Sequence, residues 1–136
     1  MTPEGMVVRK SRYGPVETAE RLLTAVAARG MTVMAQVDHA AAAASVGLEL
    51  RPTKVIMFGA PRGGTPVMAA AQTAGIDLPL KVLVWQDAEG ATWLGYNDPN
   101  WISARHGASA ASAAIEAMAG ALAAVVLAAS EDGGGS

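Results

Sequence analysis

Histidine is the side chain most readily used for proton transfer or metal binding near neutral pH. This chain has two, His39 and His106. His39 follows Asp38 directly, and His106 closes a polar run containing Asn97, Asp98 and Arg105. Two imidazoles and the Asp38 carboxylate make a donor set for a divalent metal, provided the fold brings them together. Their spacing does not demand it, because most of the chain separates them, unlike the one-turn pair on a metalloprotease helix. Each also has a local role open to it. Asp38-His39 ends a strand and caps a short helix, and His106 in a last helical turn meets the helix dipole as a cation. A second chemistry is general-base catalysis by His106 near Asp98. Ser103 and Arg105 add polar groups, but no serine has the glycine elbow that exposes a nucleophile. The absence of cysteine removes thiolate catalysis, disulfides and cysteine-ligated zinc.

The other polar candidate is the loop Gly59-Ala60-Pro61-Arg62-Gly63-Gly64-Thr65. It joins a strand to a helix, where backbone N–H groups and the dipole can hold an anion with Arg62 adding charge. A Walker loop needs lysine before its Ser/Thr, and Gly64 stands there instead, so the glycines serve first to shape a tight turn. Thr65 is expected to be the helix N-cap and Pro66 its first residue. Tyr96-Asn97-Asp98-Pro99 reads as a strand end passing into an Asx-type cap, or alternatively as one lip of a pocket. Trp85, Trp93 and Trp101 are read as core or dimer surface before ligand platform.

The elements that must position these groups follow from periodicity and breakers. Met6 to Ser11 is a β-branched first strand. Pro15 opens a helix with Ala19, Leu22, Leu23 and Val26 on one side, and Gly30 stops it. Met31 to Val37 alternates as a strand, with Val33, Ala35 and Val37 on one face. Ala40 to Val46 is a short helix stopped by Gly47, and Lys54 to Gly59 a buried strand. Val82 to Trp85, the Asp87–Gly90 turn and Thr92 to Tyr96 form a β-hairpin. A short helix runs from the Asp98-Pro99 cap through Arg105. Ala110 to Ala129 is almost wholly apolar, but Ile115, Met118, Leu122, Val125 and Val126 recur as one stripe, which describes a core helix and not a membrane span. The order β-α-β-α-β-α-β-β-α-α predicts an α+β fold, mostly antiparallel, with helices packed on one face.

Bulk properties narrow the classes. With 51% apolar and 16% charged residues the chain has the composition of a compact domain and not of a disordered one. A net charge of −2, with Arg9-Lys10 and Arg12 as the densest basic run, argues against nucleic-acid binding. One domain over 1–130 is expected, with a flexible tail over 131–136. The N-terminal residues lack the pattern of a signal peptide, which together with the missing cysteine points to a cytoplasmic chain.

Several blocks then carry a resemblance: Leu48-Glu-Leu-Arg-Pro-Thr-Lys-Val55, Phe58-Gly-Ala-Pro61 with Gly64-Thr65-Pro66-Val67-Met68, Leu78-Pro-Leu-Lys-Val-Leu-Val-Trp85, and Tyr96-Asn-Asp-Pro99 with Arg105-His106. In this order they resemble the bacterial domain-of-unknown-function 302 family, over nearly the whole chain. The resemblance implies a TATA-binding-protein-like α+β fold, β-α-β(4)-α in outline, commonly homodimeric; the family's name assigns no activity. Its recurrent polar positions match Asp38, His39, Lys54, Gly59, Pro61, Gly64, Thr65, Asn97, Asp98, Pro99, Arg105 and His106 here. Ala60 departs from it, standing where the family pattern has asparagine.

The expected function is binding of a small ligand or metal ion by a homodimer, in a polar pocket built from His39, Arg62, Gly64, Thr65, Tyr96, Asn97, Asp98, Arg105 and His106. The metal set would be Asp38, His39 and His106, and no cofactor is specified. The alternatives are a hydrolase-like enzyme with His106 as general base and a pure protein-interaction module. No nucleic acid or membrane is expected as partner.

Overall fold

A computed structural model describes residues 2–131. The tail expected over 131–136 lies outside the described residues except for Glu131. Strand β1 (Met6–Ser11) is followed by helix α1 (Pro15–Ala28), strand β2 (Thr32–Asp38), helix α2 (His39–Ser45), strand β3 (Thr53–Gly59) and helix α3 (Pro61–Ala70). A 3-10 turn over Gln72–Ile76 leads to the hairpin β4 (Leu80–Gln86) and β5 (Thr92–Asn97), then α4 (Pro99–His106) and α5 (Ser112–Ser130). All strand pairs are antiparallel, in the order β1-β5-β4-β3-β2. The α+β expectation and its element order are met.

The register explains why helices gather on one side. Ile56 opposes Val82, Phe58 opposes Leu80, and Val84 opposes Leu94, so these six side chains share a face. All are buried, and they form one core with Leu22 and Val26 of α1, Val67 of α3, and Ile115, Leu122 and Val125 of α5. Buried residues of α5 include Ile115, Met118, Leu122, Val125 and Val126, the stripe that its spacing predicts. On the opposite face lie Val55, Met57, Leu83, Trp85 and Trp93, half-buried, with Trp85 paired to Trp93 across the hairpin. Gly95 opposes Leu83 on this face, where a Cβ would meet the Met6 terminal methyl and the Trp85 ring. Glycine there is what lets the indole lie against the strand.

Two local expectations change. The strict alternation read for β2 is broken by a bulge: Val33 opposes Phe58 but Ala35 opposes Met57, so the two valines Val33 and Val37 lie on opposite faces. An extra residue, Met34, takes up the shift. Helix α3 begins at Pro61 and not at Pro66, which lies inside it. Two prolines preceded by small residues gave two possible starts. The chain takes the earlier, with Ala60 in the cap position making no side-chain cap bond.

Candidate functional site

The strand register decides where the two histidines fall. Asp38 opposes Lys54 at one end of the β2–β3 pair, and Thr32 opposes Gly59 at the other. Asn97, which leads into α4, lies at the Gly59 end, because Gly95 opposes Leu83 and Leu80 opposes Phe58. His39 follows Asp38 at one end, and His106 bonds Asp77, three residues ahead of Leu80 at the other, so a sheet about 20 Å long at about 3.3 Å per residue lies between them. Metal–ligand bonds are near 2 Å, so the shared centre of Asp38, His39 and His106 does not form. No group of three His, Cys, Asp or Glu among the described residues is placed to hold a metal ion. Asp38 instead caps α2, its Oδ1 accepting the Ala41 N–H at 2.8 Å. His39 begins that helix, on the exposed side of the molecule.

His106 is held by two residues that the sequence did not single out. Its Nε2 lies 2.6 Å from Asp77 Oδ2, and its Nδ1 lies 2.8 Å from Thr73 Oγ1. A carboxylate only accepts, so Nε2–H donates to Asp77, and the Thr73 hydroxyl donates to Nδ1 in the neutral ring. Arg105 Nη1 closes the cluster at 2.9 Å from Asp77 Oδ2, with its guanidinium 5.8 Å from the Trp101 ring centre. Burial pushes the Asp77 carboxyl up, but the His106 hydrogen bond and the Arg105 guanidinium outweigh it and hold it below its ordinary 3.8. With 7% of its side chain exposed and both nitrogens engaged, His106 has no free atom for a substrate proton. It joins α4 to the 3-10 turn. Asp98 lies elsewhere: its Oδ1 accepts the Asn100 N–H at 2.9 Å and caps α4. Burial, then the Asp98 charge, push the Tyr96 phenol above its ordinary 10.0. Asn97 is exposed at the strand end.

The concave feature lies beside this cluster. A cavity of about 420 Å³ is lined by the start of α3, by Leu78-Pro79-Leu80, by Met31 and Met34, and by α5. Of the nine residues expected to share one pocket, Arg62, Gly64 and Thr65 line it, while His39, Tyr96, Asn97, Asp98, Arg105 and His106 do not. The cavity is apolar, not polar as expected. Four of the seven methionines face it: Met31, Met34, Met68 and Met118. Side-chain bulk is withheld from two of its walls, where Gly59, Ala60, Gly63 and Gly64 face Ala114, Ala117 and Ala121 of α5. Space remains because small residues on α3 and α5 cannot meet across it. The signal in the sequence was four scattered methionines and a run of small residues, none of which titrates.

Geometry and sequence now meet in one comparison. Residues 7–125 match the family described as Domain of unknown function DUF302. The chain belongs to it. A crystal structure of an uncharacterized conserved DUF302 protein from Bacillus stearothermophilus superimposes with a TM-score of 0.83, covering 93% of this chain and 99% of that one. At 22% identity it shows that the DUF302 fold is shared, and no more. Among curated proteins, "Fluoride-specific ion channel FluC 1" of Brucella suis biovar 1 (strain 1330) is 44% identical over 115 residues, 84% of this chain and 45% of that protein. "Fluoride-specific ion channel FluC 2" of Brucella melitensis biotype 1 is also 44% identical over 115 residues, 84% of this chain and 43% of its own length. This DUF302 chain thus spans less than half of the curated relatives it matches.

Proposed function

We propose that this chain is a small-molecule-binding domain and that its binding site is the cavity between α3, Leu78–Leu80 and α5. One observation carries the reading: a 420 Å³ concavity whose walls are bare because glycine and alanine occupy them. That volume falls within the roughly 300–1,000 Å³ of small-molecule sites. The engagement of both His106 nitrogens speaks against the hydrolase alternative. Screening a mixed fragment library, charged and neutral, against methyl-labelled methionines tests the site. Fragments that shift Met31, Met34, Met68 and Met118 support it. A library that moves none of them removes it.

The relatives' channel name bears on context. Among the described residues only Ser109–Ser130 is long and apolar enough to cross a membrane. Helix α5, which makes up most of it, buries Ile115, Leu122 and Val125 in the domain core. On this reading the pore of the fluoride channels belongs to the part of those proteins that this chain does not match. The present domain is then an accessory, ligand-binding module working outside the bilayer.

A second reading, self-association, is favoured by the sheet face that carries Val55, Met57, Leu83, Trp85 and Trp93. Five strands about 4.8 Å apart and about 20 Å long offer roughly 500 Å² a side, below the roughly 800 Å² per partner of a standard interface. That places it second. Sedimentation decides: a dimer dissolved by Leu83→Lys supports it, and a monomer at about 100 µM removes it.

A further inference from the structure

We propose that the ligand of this cavity is an uncharged, compact hydrophobe, an aromatic or alicyclic molecule of two to three rings. This rests on the cavity being the binding site and goes further, to the chemistry that the walls accept.

The lining carries almost no charge. Among the residues that line the cavity, Arg62 is the sole ionisable side chain and Thr65 the sole hydroxyl, with no carboxylate. Arg62 is exposed, so its charge sits in water at the rim. The start of α3 offers an anion little more. Pro61 has no N–H, and the N–H groups of Gly63 and Gly64 both turn to the Ala60 carbonyl, at 2.9 and 3.3 Å. A charged ligand would lose its hydration here and recover little of it. A neutral apolar one loses nothing and buries surface.

Size and polarisability of the lining favour rings. A cavity of about 150 Å³ lined by apolar groups holds one benzene, so 420 Å³ accommodates nearly three ring equivalents. Four thioethers share this one lining. Methionine sulfur makes favourable contacts with ring edges, and its unbranched chain adapts to different outlines. The β2 bulge gives independent support. The residue it inserts is Met34, which lines the cavity while remaining 53% exposed. Bulges re-aim side chains at functional sites at some loss of strand pairing. This one puts an apolar side chain at the opening, where solvent exposure alone would favour a polar residue.

The test is a matched pair on the intact chain, naphthalene against 2-naphthoate, followed on the methionine methyl resonances. The expected result is saturable shifts of Met31, Met34, Met68 and Met118 with naphthalene, without matching shifts of Met57 on the far sheet face. Binding of 2-naphthoate should be at least tenfold weaker. Equal or tighter binding of 2-naphthoate at the same methyls overturns the neutral class while leaving the site standing. Absence of any naphthalene shift up to its solubility overturns the class as well, and the mixed library then decides separately about the site. Ala117→Trp, at an exposed position of α5, fills the cavity and should abolish the naphthalene shifts. Retained binding in that variant overturns the assignment, and Ala121→Phe replaces it should Ala117→Trp not fold.

Discussion

His106 Nε2 donates to Asp77 Oδ2 across 2.6 Å, joining the last turn of α4 to the residue before the cavity wall Leu78-Pro79. The bond is charge-assisted because its acceptor is an ionised carboxylate, which Arg105 pairs through the same oxygen at 2.9 Å. Burial opposes the Asp77 charge but is outweighed, so the folded carboxyl titrates below its ordinary 3.8. A group that is a stronger acid when folded adds stability that is complete above the unfolded value and lost as pH falls through the folded one. Asp77→Asn should therefore lower stability at neutral pH by about 1–3 kcal/mol, through the loss of a charged partner for a buried imidazole. The gap from the parent should begin to shrink below 3.8 and close once pH has also fallen below the lower, folded value. Thermal melts from pH 7 to pH 2 check this, and a gap that stays constant would refute the ionic account.

That pair also shows where sequence reading stops. The hairpin β4–β5 was legible because alternation and the Asp87–Gly90 turn are local signals, and Asp87 proves to organise the turn, accepting from Ala91 N at 2.9 Å and Trp93 Nε1 at 2.8 Å. The α5 stripe was legible for the same reason. Asp77 and Thr73 were not, since nothing near them in the chain marks a partner 29 or 33 residues away. His106 attracted attention by type, yet its surroundings were set by the packing of α4 on a turn that has no periodic signal. The cavity was missed because it is made of absent side chains. Alanines 114, 117 and 121 look like the bland side of a core helix until α3 and Leu78–Leu80 are placed over them.

Gly95→Ala tests the outer sheet face. The added methyl meets Trp85 Cζ3 at 3.0 Å and also the end of Met6. Met6 can move aside, but the half-buried indole lies against β5 at Gly95 and has less freedom. Overpacking of this kind costs about 1–3 kcal/mol. A lower urea midpoint with a blue- or red-shifted Trp emission is the expected signature. An unchanged midpoint would mean that the ring rotates away freely.

Gly63→Ala has the opposite sign. Gly63 is helical, and a Cβ there meets nothing within 4 Å. Alanine in a helix is favoured over glycine by about 0.5–1 kcal/mol, largely through the unfolded chain. The first turns of α3 are weak besides, with no side-chain cap on Ala60 and Pro66 unable to donate to the Arg62 carbonyl. Ala60→Asn should add about 1 kcal/mol by supplying the missing cap. Both gains should appear in chemical denaturation without loss of secondary structure, and a loss in either variant would show that α3 is not built from Pro61.

Capping and coordination are separable at the other end of the sheet. Asp38 Oδ1 accepts the Ala41 N–H at 2.8 Å, a bond that starts α2 whatever metal is in solution. Asp38→Ala should therefore cost about 1 kcal/mol, the usual loss for an N-cap. His39→Ala, at an exposed position, should stay within about 0.5 kcal/mol of the parent. Were the pair to hold a cation with His106, both variants would lose zinc binding together. Since a sheet about 20 Å long separates the histidines, titration calorimetry with zinc should give the same trace for parent and both variants. A saturable heat in the parent that His39→Ala and His106→Ala each abolish would overturn the separation of the two histidines.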